Sequence, residues 1–289
     1  MPRKTFREVL QQPGPLVLPP AHDGLSARMI QNAGFDAYFI GGFPAVGARY
    51  GVPDIGLKSL GEISAAVRDI MAACDLPVFV DGDDGYGDTK NVVNTLHTYE
   101  RMGVDAILFE DQQWPKRCGH MSGKRVVPVE EMEAKVRAAC GERMNKETFI
   151  FARTDARAVT GLDDALRRAE RYLRAGADGI FIEAPQSVEE LRIVGRAFDV
   201  PQIANPLEGG KTPILSPAEL YELGFKVIPY GLYVLMRMAK TIRLALDDLK
   251  TGRFAMKFDE TALGFQEYLR EVGIDEWAGV ESKFPMPSR

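Results

Sequence analysis

The stretch RMGVDAILF at residues 101–109 decides the fold that we predict, because the chain repeats its pattern three more times. Each copy places a helix-like segment and a glycine before an apolar run; the other copies are NAGFDAYFI (32–40), RAGADGIFI (174–182) and ELGFKVIPY (222–230). The glycine suits the left-handed position that ends a helix, and the β-branched and aromatic run suits a strand buried on both faces.

Four further apolar runs bring the number of predicted strands to eight, and they lie at residues 15–18, 77–80, 148–152 and 200–204. Amphipathic stretches separate the runs, and two of them begin at capping boxes that start with Ser187 and Ser216. Eight strands alternating with helices predict an α/β fold, a (β/α)8 TIM barrel with its functional residues at the carboxyl ends of the strands. A doubly wound open sheet is the alternative architecture.

The whole chain, residues 1–289, is predicted to be one barrel domain with a C-terminal helical extension over residues 232–289. The extension has apolar residues at helical spacing from Leu232 to Leu246, a polar break at 250–253 and a second helix near 259–272. Such an extension usually covers another surface, so we predict a homo-oligomer.

Composition excludes several classes of protein. The chain has 36 basic and 41 acidic residues, a net charge of −5 and no run of five like charges, which disfavours nucleic acid as a partner. Its three cysteines have no CxxC spacing, which disfavours a disulfide framework or a zinc site. No apolar stretch has the length of a signal peptide or a membrane span, so we expect a cytoplasmic protein without a membrane partner.

Acidic side chains follow the predicted strands where they end. Asp81 and Asp83 follow strand three, Glu110 ends strand four, and Asp54 lies in the loop after strand two. Acids that converge at one barrel mouth repel one another unless a cation neutralises them. Hard oxygen donors without histidine or cysteine partners are the ligands that Mg²⁺ or Mn²⁺ prefers, so we predict Mg²⁺ here, with Mn²⁺ as a possible substitute.

Other polar residues at the strand ends receive different roles. Arg153 ends strand five, and its bidentate fork predicts a clamp for a substrate carboxylate. Asp88 and Asp155 are expected to be structural, since aspartate is also a turn and N-cap residue.

Cys118 lies in a polar loop beside Arg117 and two residues before His120. Positive neighbours lower the pKa of a thiol, which would make Cys118 a proton donor or acceptor near neutral pH. Gly119 would let the loop close over a substrate. The other two cysteines, Cys74 and Cys140, are expected to be small buried hydrophobes.

Seven motifs, in this order along the chain, resemble those of the isocitrate lyase / phosphoenolpyruvate mutase superfamily. They are VPDIG (52–56), DGDDGYG (81–87), FEDQ (109–112), KRCGH (116–120), ARTDA (152–156), IEA (182–184) and NPLEGGKTP (205–213). The resemblance covers about residues 15–235 and implies a (β/α)8 barrel that swaps its last helix between subunits. It also implies a homotetramer, a dimer of dimers, with Mg²⁺ at the mouth of each barrel.

The resemblance also implies a role for each matching residue. Asp81 would bind the metal directly, while Asp54, Asp83 and Glu110 would act mostly through water. Cys118 would be the acid/base, and Arg153, Glu183 and Asn205 would line the substrate. We also expect Arg153, His120 and Glu183 to be catalytic, and we expect further substrate contacts from His120, Gly119, Gly41, Gly42 and Phe43.

One segment departs from the pattern of the lyases, which commonly have Ser-Gly-Gly after strand two. This chain reads Ile40-Gly41-Gly42-Phe43, so the serine hydroxyl is missing and a bulky ring enters. We expect the backbone amides of the segment to hold a carboxylate still, in a pocket that Phe43 has altered.

KRCGH favours the carbon–carbon lyase branch, and KRCGH and LEGGKTP are most similar to 2,3-dimethylmalate lyase, methylisocitrate lyase and carboxyphosphoenolpyruvate mutase. The predicted reaction is the Mg²⁺-dependent cleavage of a small 2-hydroxy di- or tricarboxylate, of the 2-methylisocitrate or 2,3-dimethylmalate type, to a 2-oxo acid and a carboxylate. The alternatives are a carboxyphosphoenolpyruvate or phosphonate mutase, an oxaloacetate hydrolase or decarboxylase, and a carboxylate-binding barrel without catalysis.

Overall fold

The computed structural model describes residues 3–253 and 262–286 and contains a parallel sheet at its centre. Its strands are β1 (Leu16–Leu18), β2 (Tyr38–Ile40), β3 (Val78–Asp81), β4 (Ala106–Glu110), β5 (Phe149–Thr154), β6 (Gly179–Ile182) and β7 (Val227–Pro229). Strands β2 to β6 pair in sequence order, and β1 pairs with β7, so the first and last strands are neighbours.

Single bridges close the two sheets into a ring. A bridge between Pro20 and Phe39 joins the end of β1 to β2. Bridges from Ile180 to Gln202 and from Ile203 to Val227 place the predicted strand 200–204 between β6 and β7. The barrel prediction is therefore confirmed, and the open-sheet alternative is wrong. The segment 200–204 pairs through bridges alone, in part because Pro201 has no N–H to donate.

Helices surround the strands, as the repeated pattern predicts. They are α1 (Phe6–Leu10), α2 (Gly24–Asn32), α3 (Gly42–Tyr50), α4 (Leu60–Met71), α5 (Thr89–Met102), α6 (Val129–Glu142), α7 (Ala156–Val159), α8 (Leu162–Arg174), α9 (Val188–Gly195), α10 (Pro217–Glu222), α11 (Tyr233–Thr251), α12 (Phe265–Glu271) and α13 (Ile274–Lys283). In the stretch that decides the fold, α5 ends at Gly103 with φ 87°, a left-handed value that favours glycine.

The two predicted capping boxes differ in the structure. At Ser216 both bonds of the box form with Glu219. At Ser187 the side chain accepts a bond from the Glu190 amide, but the Glu190 carboxylate pairs with Arg157 at 2.5 Å. The Glu190 carboxylate also accepts a hydrogen bond from the Gln186 amide, so the second bond of this box is replaced.

An aromatic cluster fills the amino-terminal half of the barrel. Phe6 of α1 is fully buried, and its ring centroid lies 5.9 Å from that of Phe79 and 6.3 Å from that of Phe151. Phe79 contacts Phe39 in turn, with ring centroids 4.9 Å apart. Because α1 and this cluster close one end, a small molecule can enter the barrel at the carboxyl ends of the strands.

The C-terminal extension is helical, as predicted, and lies largely exposed. The α11 helix ends at Gly252 in the predicted polar break, and Leu235 is its one buried residue. The predicted helix at 259–272 corresponds to α12 where the structure describes it, while residues 254–261 lie outside the described ranges. Large apolar side chains stay exposed on these helices, among them Leu249, Trp277 and Val280. This surface is consistent with an oligomer, but the tetramer and the swapped helix stay predictions.

Among the described residues, no helix combines the length and the apolar character that are needed to cross a bilayer.

Candidate active site

One cavity of about 70 Å³ opens at the carboxyl ends of the strands, where the site is predicted. This volume is several times the roughly 10–15 Å³ that one water molecule requires. The predicted residues that line it are Gly41, Gly42, Phe43, Asp54, Asp81, Glu110, Cys118, Gly119, His120, Arg153, Glu183 and Asn205. Asp83 is the one predicted site residue outside this lining, and it lies behind the cavity wall in contact with Lys116.

Carboxylates from two neighbouring strands form one side of the cavity. Asp81 ends β3 and Glu110 ends β4, while Asp83 lies in the turn after β3. Burial raises the pKa of Asp81 and of Asp83, and it raises the pKa of Glu110 well above its ordinary value. The positive charge around these acids is therefore not enough to balance the cost of burying them, which favours a cation beside them.

The turn that carries Asp83 has an unusual backbone. Asp83 has φ 50°, and Ala184, which follows Glu183, has φ 57°. A left-handed conformation costs a non-glycine residue on the order of 1 kcal/mol, and such residues are concentrated at functional sites. In this conformation the Asp83 amide donates to Asp81 Oδ1 at 3.0 Å and fixes the orientation of that carboxylate.

Lys116 is a site residue to which sequence reasoning gave no role. Its Nζ lies 2.7 Å from Asp54 Oδ2 and 2.5 Å from Asp83 Oδ1, and only 4% of the residue is exposed. Burial opposes its charge, but Asp83 and then Asp54 hold the pKa of Lys116 well above its ordinary value. One feature of the sequence could have indicated this role. Lys116 lies in the KRCGH loop, which faces the acidic residues at the mouth of the barrel.

The donor set fits a divalent cation. Within the described ranges, no three carboxylate, histidine or cysteine groups converge closely enough to enclose an ion by themselves. Glu110 Oε1 is nevertheless buried, and within those ranges it has no hydrogen-bond partner. Asp81 and Glu110 present hard oxygens to one cavity, and Mg²⁺ commonly binds to one or two carboxylates and keeps several waters.

Arg153 at the end of β5 is held by protein carboxylates. Its Nε lies 2.9 Å from Asp155 Oδ2 and 3.4 Å from Glu110 Oε2, and its Nη2 lies 3.2 Å from Glu183 Oε2. Lys124 Nζ donates to the other oxygen of Asp155 at 2.6 Å. Although burial opposes ionisation, Arg153 and then Lys124 lower the pKa of Asp155 to about 2. Asp155 is therefore the ionised anchor that positions Arg153.

Cys118 is half-buried above the cavity, and its predicted pKa shift was in the wrong direction. Burial raises the pKa of this thiol, and Glu183 adds to the increase, while the His120 amide and Arg153 oppose it. The neighbour expected to lower the pKa, Arg117, is exposed and donates instead to the Ser122 carbonyl at 3.3 Å. A raised pKa favours the protonated form of the thiol, which can donate a proton. Of the two other cysteines, Cys74 is buried as predicted and Cys140 is half-buried.

The loop that carries Cys118 is closed over the cavity. The Lys211 amide donates to His120 Nδ1 at 3.1 Å, so Nε2 is the protonated nitrogen, and it lies 3.3 Å from Glu183 Oε1. A Cβ atom on Gly119 would lie 2.5 Å from both Arg153 Nη2 and Glu183 Oε2. Only glycine therefore lets the loop approach this closely.

The segment that departs from the lyase pattern lies between β2 and α3. Ile40 is buried in β2, Gly41 is the N-cap of α3, and Phe43 lines the cavity from the first turn of the helix. The Gly42 amide donates to Asp81 Oδ2 at 3.3 Å. We expected this amide to hold a substrate carboxylate. It instead contacts Asp81, the residue predicted to bind the metal. Asn205 Oδ1, across the cavity, is buried and has no partner among the described residues.

A family profile described as phosphoenolpyruvate phosphomutase matches residues 6–250. The chain belongs to this family. The 2,3-dimethylmalate lyase of Eubacterium barkeri is 38% identical over 282 residues, which are 96% of either chain. The 2-methylisocitrate lyase of Bacillus subtilis is 40% identical over 81% of this chain and 77% of its own. The chloroplastic carboxyvinyl-carboxyphosphonate phosphorylmutase of Arabidopsis thaliana is 35% identical over 96% of this chain and 84% of its own.

Solved structures agree with the family. Oxaloacetate acetylhydrolase with 3,3-difluorooxalacetate superposes with a TM-score of 0.91 and 28% identity, over 96% of this chain and 95% of that one. A 2,3-dimethylmalate lyase is described as a member of the PEP mutase/isocitrate lyase superfamily. It superposes with a TM-score of 0.88 and 33% identity, over 97% of this chain and 94% of its own. Phosphonopyruvate hydrolase with oxalate and Mg²⁺ superposes with a TM-score of 0.83 and 26% identity, over 94% of this chain and 95% of that one. The chain is thus an enzyme of a superfamily of lyases and mutases.

Proposed function

We propose that this enzyme is a Mg²⁺-dependent carbon–carbon lyase that cleaves a small 2-hydroxy di- or tricarboxylate to a 2-oxo acid and a carboxylate. The observation that carries the proposal is that the Cys118 thiol lines the same cavity as the carboxylates of Asp81 and Glu110. Relatives named as lyases at 38% and 40% identity support the same class of reaction.

In this proposal Asp81 would bind Mg²⁺ directly, and Asp54, Asp83 and Glu110 would act through water. A related structure that holds Mg²⁺ and oxalate supports a metal beside a small acid. When bound, the ion supplies Lewis-acid chemistry that lowers the pKa of a hydroxyl group. Lys116 offsets one negative charge of the four carboxylates through its contacts with Asp54 and Asp83, and the negative charge that is left favours a divalent cation.

Residues of the chain itself bind and orient the substrate. Arg153 and Asn205 hold carboxylate and hydroxyl oxygens, and the His120–Glu183 pair keeps the loop closed. The carboxylate cluster accepts the proton of the 2-hydroxyl, whose electrons form the new C=O bond. The electrons of the C2–C3 bond stay on C3 as an enediolate, and Arg153 stabilises this charge.

Cys118 completes the reaction by donating its S–H proton to C3. Because burial raises the pKa of the thiol, the proton remains on sulfur until a strongly basic carbon appears. The closed loop excludes water, which would otherwise protonate the carbanion from either face. The cytoplasmic location and the homotetramer that accompany this function stay predictions.

A substrate panel tests the proposal. The enzyme is incubated with C2- and C3-substituted malates and citrates, with Mg²⁺ or with EDTA, and the released 2-oxo acid is measured. Release that requires the metal supports the lyase.

A second candidate function is a phosphonate-forming mutase, which the phosphorylmutase relative at 35% identity favours. A ³¹P spectrum taken with carboxyphosphoenolpyruvate would reveal a new P–C bond. Such a bond, without release of 2-oxo acids from the panel, would contradict the lyase.

A further inference from the structure

Two leucines separate the candidate active site from a second cavity. Leu207, in the loop 205–213, and Leu232, which precedes α11, line both. The second cavity has a volume of about 100 Å³, and its other lining residues are Pro206, Glu208, Tyr230, Tyr233 and Met236. It reaches the surface at Tyr233 and Met236, whose side chains are exposed. The active-site cavity can therefore extend beyond the leucines.

The space around the leucines is apolar, and no lysine or arginine that lines the active-site cavity is free to bind a third substrate carboxylate there. Lys116 is paired with Asp54 and Asp83, and Arg153, which contacts Asp155 and Glu183, is assigned by the proposed function to the carboxylates that every substrate carries. The third, Arg117, is exposed and donates to a loop carbonyl.

The charged group beside the second cavity is also paired. Glu208 lies 3.2 Å from the guanidinium of Arg237, which stacks on Tyr233. A substrate carboxylate placed against Leu207 and Leu232 would exchange water for apolar contacts without gaining a cationic partner, which is unfavourable. An alkyl group placed there would gain the free energy of burial.

The closed loop indicates which substrate carbon faces the leucines. His120, two residues after Cys118, accepts a bond from the Lys211 amide, and a Cβ atom on Gly210 would lie 2.5 Å from its ring. The loop that carries the thiol is therefore packed against the loop that carries Leu207. If the proposed function holds, Cys118 protonates C3, and we therefore place the substituent on C3 on the side of the leucines.

We propose that the substrate is a 2-hydroxy dicarboxylate whose C3 carries an uncharged, apolar side chain larger than methyl. This side chain lies against Leu207 and Leu232 and extends toward the second cavity. The inference rests on the proposed lyase function and selects among its substrates: it favours dicarboxylates with alkyl side chains over tricarboxylates. Leu207 and Leu232 are then the residues that determine specificity.

A matched series of 2-hydroxy-2-methylsuccinates tests the inference, with methyl, propyl, isobutyl or carboxymethyl on C3. Each compound would release pyruvate, which is measured by coupling to NADH oxidation with lactate dehydrogenase. Isobutyl and carboxymethyl have the same number of non-hydrogen atoms and differ chiefly in charge. Each buried methylene is expected to raise kcat/KM about fourfold, so propyl should exceed methyl by about 15-fold. Isobutyl should exceed carboxymethyl by at least tenfold.

Variants at the boundary give a second, independent readout. Leu232→Trp fills the second cavity and should bring the propyl-to-methyl ratio of kcat/KM from about 15 to about 1. Val188→Ala, an exposed position on α9 outside both cavities, should keep the wild-type ratio. A ratio that Leu232→Trp leaves unchanged would overturn the inference.

The wild-type series distinguishes the two proposals even if the variant does not fold. If the carboxymethyl compound is the best substrate, or if kcat/KM falls as the alkyl chain lengthens, the lyase stands and the side-chain inference is overturned. If no compound releases pyruvate, the lyase proposal itself fails, and the inference fails with it.

Discussion

Replacing Asp155 with asparagine should destabilise the fold and disable the site together, because this carboxylate joins two buried cations. Its oxygens lie 2.9 Å from Arg153 Nε and 2.6 Å from Lys124 Nζ, and Asp155 is fully buried. Asparagine has nearly the same shape but no charge, so both cations lose their shared partner. Removing one member of a buried ion pair typically costs about 3–5 kcal/mol of the free energy of unfolding.

The pH dependence of stability gives a second estimate of the same contribution. The pKa of Asp155 is about 2 in the folded chain, against about 3.9 for an unfolded aspartate. A lowered pKa stabilises the fold above the unfolded value, and this stabilisation disappears as the pH falls through 4 toward 2. The shift is worth about 2.5 kcal/mol at neutral pH, so the stability difference between wild type and Asp155→Asn should shrink over that interval.

Urea denaturation followed by circular dichroism at pH 7 and at several values down to pH 3 measures both quantities. Asp163→Asn is the matched control, because Asp163 is an exposed aspartate in the first turn of α8. We expect the control to stay within about 0.5 kcal/mol of wild type. An Asp155→Asn variant as stable as the control at pH 7, or a loss that does not depend on pH, would refute the reasoning about this network.

Three further predictions concern the loop over the site. Cys118→Ser should lower kcat by about 10²–10⁴-fold, since a general acid typically contributes that much. Oxalate binding, measured by calorimetry, should change little. An unchanged kcat would show that another group donates the proton. Gly119→Ala should lower kcat/KM at least 100-fold, because the new Cβ would lie 2.5 Å from Arg153 and Glu183. The control Gly61→Ala, which has open space around its Cβ, should match wild type. Because burial raises the pKa of Cys118, the basic limb of the profile of kcat against pH should lie above the ordinary thiol pKa, and a limb below pH 8 would contradict the raised value.

The barrel was predictable from local pattern because the information about it is local. A glycine that ends a helix and an apolar run that follows it recur at a regular spacing, and the right-handed connection between parallel strands leaves few ways to arrange them. The segment 200–204 also lies where its apolar run predicted a strand, although it pairs with β6 and β7 through single bridges alone.

The grouping of these side chains in one cavity was also predictable, since parallel strands of a barrel end at the same rim. Asp81, Glu110, Arg153 and Glu183 meet in one cavity for this reason. The sequence showed less about how these groups pair with one another. That Arg153 is held by Asp155, which we expected to be merely structural, depends on side-chain directions that no spacing rule specifies.

Cys118 and Lys116 show most clearly what could not be predicted from the sequence. The sequence showed that basic residues flank the thiol, but it did not show that the loop buries the thiol while Arg117 faces solvent. Likewise, Lys116 contacts Asp54 and Asp83 across 62 and 33 residues, and such contacts follow from loop closure. Burial and long-range pairing determine the pKa values at this site, and both follow from the folded chain.

The central claim is that Cys118 protonates the carbanion inside a closed, metal-binding cavity, and the stereochemistry of this step tests it most directly. The wild-type enzyme is incubated with 2,3-dimethylmalate and Mg²⁺ in D₂O, and NMR determines the configuration of the monodeuterated carboxylate that the proposed reaction would release. A thiol that delivers deuterium from one face yields one enantiomer. An equal mixture of both enantiomers would show that solvent quenches the carbanion, and it would contradict the account.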